Sequence, residues 1–279
     1  MSENPSVCIM IPVYNQERFI AKAIESALRQ DYSNIEIIIA DDNSTDSTAA
    51  IIANFLGKPS ITYKRNGVNL GRVANYRKCL YEYAKADWVI NLDADDYFTN
   101  DQYISQVMQA IKKNGFDKTL FYQGVNIIKS DRFEKLNEPN IKSGEAVITA
   151  GDFFLNYFKR NYFSHMSTLY HRTSAMASDF YSRDVISSDI FSLLQLCINN
   201  SNKDVIVSKN ISGVWYQHSG NISKSLNLKK HFNNLRIYAQ LSFLAKLKGY
   251  SKWQTLNWLA KAGFIYIRSY LYSFVRTKN

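Results

Sequence analysis

The chain has 279 residues, enough for one large α/β domain or two small ones around a substantial core. Apolar residues make up 46%, and its three cysteines, Cys8, Cys79 and Cys197, lie far apart with no CxxC, which argues against a disulfide framework or a zinc site and for a reducing, cytoplasmic setting. The net charge of +10 is uneven: residues 205–279 hold 12 Lys and Arg with no Asp or Glu, while the remainder has 22 basic and 24 acidic residues, so the tail is expected to meet an anionic surface.

The N-terminus "MSENPS" has no basic n-region, and no stretch approaches the roughly 18 consecutive apolar residues of a membrane span. Neither a signal peptide nor a span is expected. "VCIMI" (7–11) reads as a buried strand, and apolar positions 19, 20, 23, 24, 27 and 28 form a helical face. "IEIIIA" (35–40) is a continuous β-branched strand. The turn "DDNSTDST" follows, with Ser44, Thr45 or Asp46 placed to cap a helix over about 46–56. "ITYKR" (61–65) is a strand, residues 72–86 a helix with Val73, Tyr76 and Leu80 on one face, and "WVINL" the next strand. This β-α-β-α-β-α-β succession predicts an open, mainly parallel sheet flanked by helices.

Further on, "TLFYQGVNII" reads as a strand, 129–149 as a mobile polar loop, "GDFFLNYF" as a helix and "MSTLYH" as a strand. "SSDIFSLLQLCINN" is a helix starting near Ser187 or Ser188, and "VIVS" and "ISGVWY" are strands. From about 226 the pattern is helical. There Trp253, Leu256, Ala260, Phe264, Ile267, Leu271 and Phe274 share a stripe, with Lys261, Arg268 and Arg276 on a basic one. Such a helix can lie in a membrane interface, or it can pack on the domain with a solvated basic face.

In open α/β sheets ligands bind beyond the carboxyl ends of the strands. Here "PVYN", "DDNS" and "DADD" all fall at such ends. Asp93, Asp95 and Asp96 repel one another unless a hard divalent cation relieves them. Mn²⁺ or Mg²⁺ takes one or two protein carboxylates and fills its remaining positions with water and diphosphate oxygens. One carboxylate of the Asp41–Asp42 pair could accept a base N–H.

Taken together, "VCIMIPVYN", "IEIIIADDNSTDST", Asn69 and Gly71 of an NxG, and "NLDADD" resemble the inverting, nucleotide-sugar-dependent glycosyltransferases of family 2, with the GT-A fold. The likeness covers about the first hundred residues; later it rests on "SSDIFSLL" and "WYQHSGNIS". It implies that Pro12 and Tyr14 line a nucleobase pocket, that Asp42 accepts from uracil N3–H, and that Asn69, Gly71 and Arg72 approach the nucleotide. Asp93 would touch ribose or the donor sugar, Asp95 would bind the metal with His218 as second ligand, and Asp96 would assist.

The family often has Glu-Asp where this chain has "SSD", which makes Asp189 the candidate general base, ahead of Asp184 and Asp179. Trp215 and Tyr216 stand where an aromatic and a basic residue are usual, and Lys224 is a candidate replacement. His165, His171 and His231 read as structural.

The chain thus divides into a nucleotide-sugar half (1–100), an acceptor half (101–225) and a basic helical tail (226–279). The expected activity is metal-dependent transfer from a nucleotide-sugar, a UDP-sugar by preference, to a glycan or lipid-linked acceptor. Its expected setting is surface-polysaccharide synthesis, in the cytoplasm or peripherally at the inner face of the plasma membrane. The alternatives are a nucleotidyltransferase, which would carry a Gly-rich loop after the first strand, or a non-catalytic module binding nucleotide or nucleic acid.

Overall fold

The computed structural model describes residues 4–136, 138–160, 163–218 and 228–276, with side chains excepted at 160, 228–232, 234 and 269–276. The apolar run at the start forms β1 (Val7–Val13), buried throughout. It is followed by α1 (Ile20–Leu28), β2 (Ile35–Asp41), α2 (Thr48–Ala53), β3 (Ile61–Arg65), α3 (Arg72–Lys78) and β4 (Trp88–Asn91). α3 runs on into a wider π-helical turn, Cys79–Tyr83, closed by the Ala84 N–H on the Cys79 carbonyl at 2.8 Å. Next come β5 (Tyr97–Phe98), α4 (Tyr103–Asn114), β6 (Thr119–Lys129), β7 (Glu134–Leu136), β8 (Glu145–Thr149), α5 (Ala150–Leu155) and α6 (Tyr157–Arg160). The remainder is β9 (Thr168–His171), α7 (Arg172–Ala177), α8 (Ser188–Asn199), β10 (Asp204–Tyr216), α9 (Leu228–Leu247) and α10 (Lys252–Arg276).

One sheet joins the strands in the order β3-β2-β1-β4-β9-β6-β10-β5, with β7 beside β6 and β8 beside β10. β3, β2, β1 and β4 are mutually parallel, β9 runs antiparallel between β4 and β6, and β6 is parallel to β10. Alternation along β1 divides the core. Val7, Ile9 and Ile11 join the layer under α1 and α4, whereas Cys8 and Met10 join the layer under α3, α5, α8 and the C-terminal helices. All three cysteines are buried and unpaired.

Several sequence expectations change. Residues 129–149 contain β7 and β8 rather than only a loop. β8 is held by main-chain pairing along β10, which needs no apolar run to form. "VIVS" and "ISGVWY" are one strand, β10, with register shifts where it passes β6. α4 was not anticipated, although Tyr103, Ile104, Val107, Met108 and Ile111 are buried at helical spacing. Ser47 occupies the cap position of α2 without a side-chain cap, while Asp46 accepts the N–H groups of Thr48 and Glu17.

The tail resolves into two helices that pack on the domain through one face. Ile237, Tyr238, Leu241 and Ala245 of α9 and Trp258 and Ala262 of α10 are buried. Trp258 stacks on Phe154, with ring centroids 4.6 Å apart, and donates its indole N–H to the Phe154 carbonyl at 2.9 Å. The stripe read from the sequence is the opposite face. Trp253 is 84% exposed and Phe264 68%, and Leu256, Ala260 and Ile267 are exposed with them. The side chains of Leu271, Phe274 and Arg276 lie outside the described residues. No described helix is long and apolar enough to cross a membrane.

Candidate functional site

The loops leaving β1 and β2 are laced together. The Asn15 N–H donates to Ser44 Oγ at 3.0 Å, the Thr45 N–H to Asn15 Oδ1 at 2.8 Å, and the Gln16 N–H to Thr48 Oγ1 at 2.8 Å. Asn15 and Asn43 take left-handed backbone (φ 51 and 64), which asparagine tolerates better than most residues. The turn residues of "DDNSTDST" therefore secure one loop to the other as well as starting a helix.

The neighbouring aspartates have different tasks. Asp41 accepts from the Ser44 N–H at 2.8 Å and the Tyr63 hydroxyl at 2.7 Å, with Arg65 Nε at 3.7 Å. Burial and Asp41 push the Tyr63 phenol up to about 12, which keeps it a donor. Asp42 takes Asn66 Nδ2 (2.9 Å) and the Leu70 N–H (2.8 Å) on Oδ1, and the Gly71 N–H (2.8 Å) on Oδ2. A carboxylate offers roughly four acceptor positions, so three are spent holding the 69–71 loop. Gly71 has φ 87, a region that suits glycine, and precedes the first turn of α3.

β4 delivers the acidic cluster. Asp93 Oδ1 accepts from the Tyr76 hydroxyl at 2.6 Å and from Asn91 Nδ2 at 2.8 Å. Asp95 Oδ2 lies 2.9 Å from His218 Nε2, whose ring stacks on Phe19 with centroids 4.9 Å apart. Burial and then Asp93 push the Asp95 carboxyl up. Asp96 is buried, accepts the Tyr216 N–H at 2.9 Å, and is pushed well up by burial and its two acidic neighbours.

α8 contributes Asp189 in its first turn, where the helix dipole favours a carboxylate. A cavity of about 490 Å³ opens at the carboxyl ends of β1, β2 and β4. It is lined by Pro12, Tyr14, Asp42, Asn69, Gly71, Arg72, Asp93, Asp95 and Asp189, together with Gln16, Asn75, Tyr76, Ile186 and Trp215. His218 and Asp96 are not among the lining residues; His218 meets the lining residue Asp95, and Asp96 accepts the N–H of Tyr216, next to the lining residue Trp215. The rival base candidates lie elsewhere: Asp184 is exposed away from the cavity, and Asp179 pairs with Arg77 at 2.8 Å. Arg72 donates to the carbonyls of Val185 (2.9 Å) and Ile186 (3.1 Å).

Among the described residues no cluster of three or more His, Cys, Asp or Glu side chains is arranged to enclose a metal. The donor set still suits Mn²⁺ or Mg²⁺, because a carboxylate and an imidazole already meet at the cavity edge beside two further carboxylates.

Some contributors were missed in the sequence. Helical spacing marks Tyr76 only as a core residue, yet its hydroxyl reaches Asp93. Asn66 bridges Asp42 and Asn75 (3.0 Å), and Asn75 donates to the Ala40 carbonyl at 2.8 Å. The asparagines in "RNGVNLGRVAN" were the available signal. His165, half-buried, meets the Tyr181 hydroxyl, and His171 meets Ser174 at 2.9 Å. Lys224 and the side chain of His231 lie outside the described residues.

The family model for glycosyl transferase family 2 matches residues 8–179. An Escherichia coli UDP-Glc:alpha-D-GlcNAc-diphosphoundecaprenol beta-1,3-glucosyltransferase is 40% identical over 101 residues, covering 36% of this chain and 39% of the relative. The chain's matches span about two fifths of the curated relatives' own length, 41%, 36% and 39% for three of them. Among solved structures, S. aureus TarS 1–349 in complex with UDP-GlcNAc superposes with a TM-score of 0.74 at 17% identity, over 92% of this chain and 71% of that one. The mannosyltransferase PcManGT from Pyrobaculum calidifontis, in complex with GDP-Man and Mn²⁺, gives 0.64 at 13% identity, over 99% and 76%. These likenesses show the GT-A fold.

Proposed function

The chain belongs to glycosyl transferase family 2, and from that premise we infer that it transfers a sugar, with inversion, from a nucleotide-sugar to a hydroxyl of a glycan or lipid-linked acceptor in surface-polysaccharide synthesis. The observation that carries this reading is the convergence of Asp42, Asp93, Asp95 and Asp189 on one cavity, from three separate parts of the chain. Residues 1–100 form the nucleotide-sugar half, 101–225 the acceptor half, and 226–279 the basic tail.

Asp42 keeps one acceptor position for a uracil N3–H, and Pro12 and Tyr14 wall the base. A UDP-sugar is the favoured donor. Asp93 orients the ribose or donor sugar, steadied by Tyr76 and Asn91. Asp95 and His218 would hold Mn²⁺ or Mg²⁺, with Asp96 behind them. The ion supplies positive charge to the departing diphosphate. Asp189 takes the acceptor hydroxyl proton as that oxygen bonds the anomeric carbon, while the bond from that carbon to the diphosphate oxygen breaks and the nucleoside diphosphate leaves. A UDP-Glc donor and a diphosphoundecaprenol-linked acceptor in the E. coli relative's name support the donor and acceptor classes. The exposed apolar face of α10, flanked by basic residues, is assigned to an anionic membrane surface.

The test is a screen of UDP-, dTDP- and GDP-sugars by nucleotide release with Mn²⁺, alongside thermal shift with UDP. Metal-dependent stabilisation by UDP that is lost in Asp95→Ala supports the assignment. Equal UDP binding with and without metal, in both proteins, rejects the metal site.

A further inference from the structure

The segment between α7 and α8 has no regular structure of its own, and it leads into the first turn of α8, where Asp189 lies. It contains two left-handed residues, Asp179 (φ 55) and Tyr181 (φ 59), a conformation that costs energy unless contacts impose it. Some of those contacts come from α8, whose Ser192 Oγ accepts the Tyr181 N–H at 2.9 Å and whose Gln195 donates to the Ser178 carbonyl at 2.6 Å. The others come from α3 and its π-helical extension. Tyr81 donates to the Met176 carbonyl at 3.1 Å. Arg77 donates to the Phe180 carbonyl at 2.9 Å and pairs with Asp179. Arg72 donates through Nη2 to the carbonyls of Val185 and Ile186. The three side chains recur at near-helical spacing and hold the end of α7 and then the segment after it in reverse chain order, ending three residues before Asp189.

We propose that Arg72 is a positioning residue, whose guanidinium pins the Val185–Ile186 backbone so that the first turn of α8 presents Asp189 to the cavity. This rests on the reading of Asp189 as general base. An Nη2 amine has two N–H groups, and here both meet main-chain carbonyls. These two contacts turn the Nη2 corner of the guanidinium towards the segment, while Arg72 also lines the cavity. The clamp also links the two halves of the site, because Arg72 directly follows the 69–71 loop that Asp42 holds. A donor that orders this loop thereby steadies the segment carrying the base. Lysine cannot reproduce the arrangement, since its nitrogen lies one side-chain atom nearer the main chain than Nη2 does and brings no planar group to lie over the Tyr76 ring.

The experiment compares Arg72→Ala and Arg72→Lys with the wild type. Three readouts are taken: hydrogen exchange of residues 185–190, calorimetric binding of UDP with Mn²⁺, and nucleotide release from the donor identified by the screen. Loss of two charge-assisted bonds predicts exchange faster by about tenfold or more in Arg72→Ala. Misplacement of the base predicts a kcat lower by about tenfold to a hundredfold with donor KM within about threefold. Arg72→Lys should behave like Arg72→Ala, and it substitutes for that variant if Arg72→Ala fails to fold. Unchanged exchange overturns the clamp. So does wild-type turnover in Arg72→Lys, which would mean that charge alone suffices. If the wild type releases nucleotide from no donor, the functional reading fails, and the exchange comparison still decides the clamp.

Discussion

Replacing Asp42 by Asn keeps the shape of the side chain but converts one acceptor oxygen into a donor. If the remaining oxygen stays with Asn66 and Leu70, the new amide faces the Gly71 N–H, 2.8 Å away in the native protein, donor against donor. One charge-assisted hydrogen bond is lost, about 1.5–3 kcal/mol, and the other two weaken to neutral strength. The Gly71 N–H retains Asn69 Oδ1 at 3.0 Å, which limits the damage. The net expectation is a stability loss of about 2–3 kcal/mol. Urea unfolding without ligand measures it. The same variant has no oxygen left for a uracil N3–H, so UDP affinity should fall by about tenfold or more, a separate loss of at least about 1.4 kcal/mol. Calorimetry with UDP and Mn²⁺ measures that loss. A stability change below about 0.5 kcal/mol would refute the structural account, and wild-type UDP affinity would refute the placement of uracil at Asp42.

Asp189→Asn should abolish transfer while UDP binding persists, since no bond from Asp189 holds the nucleotide in this reading; transfer at the wild-type rate would move the base elsewhere. Asp96→Asn retains an acceptor for the Tyr216 N–H and removes a buried charge. Because burial and its acidic neighbours raise the Asp96 carboxyl, the folded state binds more protons than the unfolded one, and the wild type loses stability as pH climbs above its ordinary value of 3.8. The metal-free variant should therefore gain on the wild type from about pH 4 upward, and a gain that shrinks with rising pH would contradict the shift. Trp253→Ser with Phe264→Ser should leave the thermal midpoint unchanged, because both rings are exposed. It should weaken sedimentation with phosphatidylglycerol-containing vesicles by about tenfold or more, and undiminished sedimentation would clear that face of membrane contact.

What the sequence determined by itself was local. The apolar runs of β1 and β2 define buried strands, and the acids that follow β2 and β4 mark the ligand edge of the sheet, because strand and turn preferences act over a few residues. Asp42, Asp93 and Asp95 stand out for that reason, whereas Asp189 stands out through the likeness of "SSDIFSLL" to the family's acidic motif. Partnerships across the fold were legible only where the family likeness supplied them. It paired Asp95 with His218, 123 positions away, but nothing in the residues joined Arg72 to Ile186, 114 positions away, a distance that only the tertiary fold closes. The split between Asp41 and Asp42 also needed β3 and the 69–71 loop in place, since two adjacent strand-end carboxylates differ only in what surrounds them. On α10 both faces carry apolar side chains, so spacing alone could not say which is buried. The Phe154 carbonyl and ring decide it by engaging Trp258, and the Trp253 stripe is left facing outward.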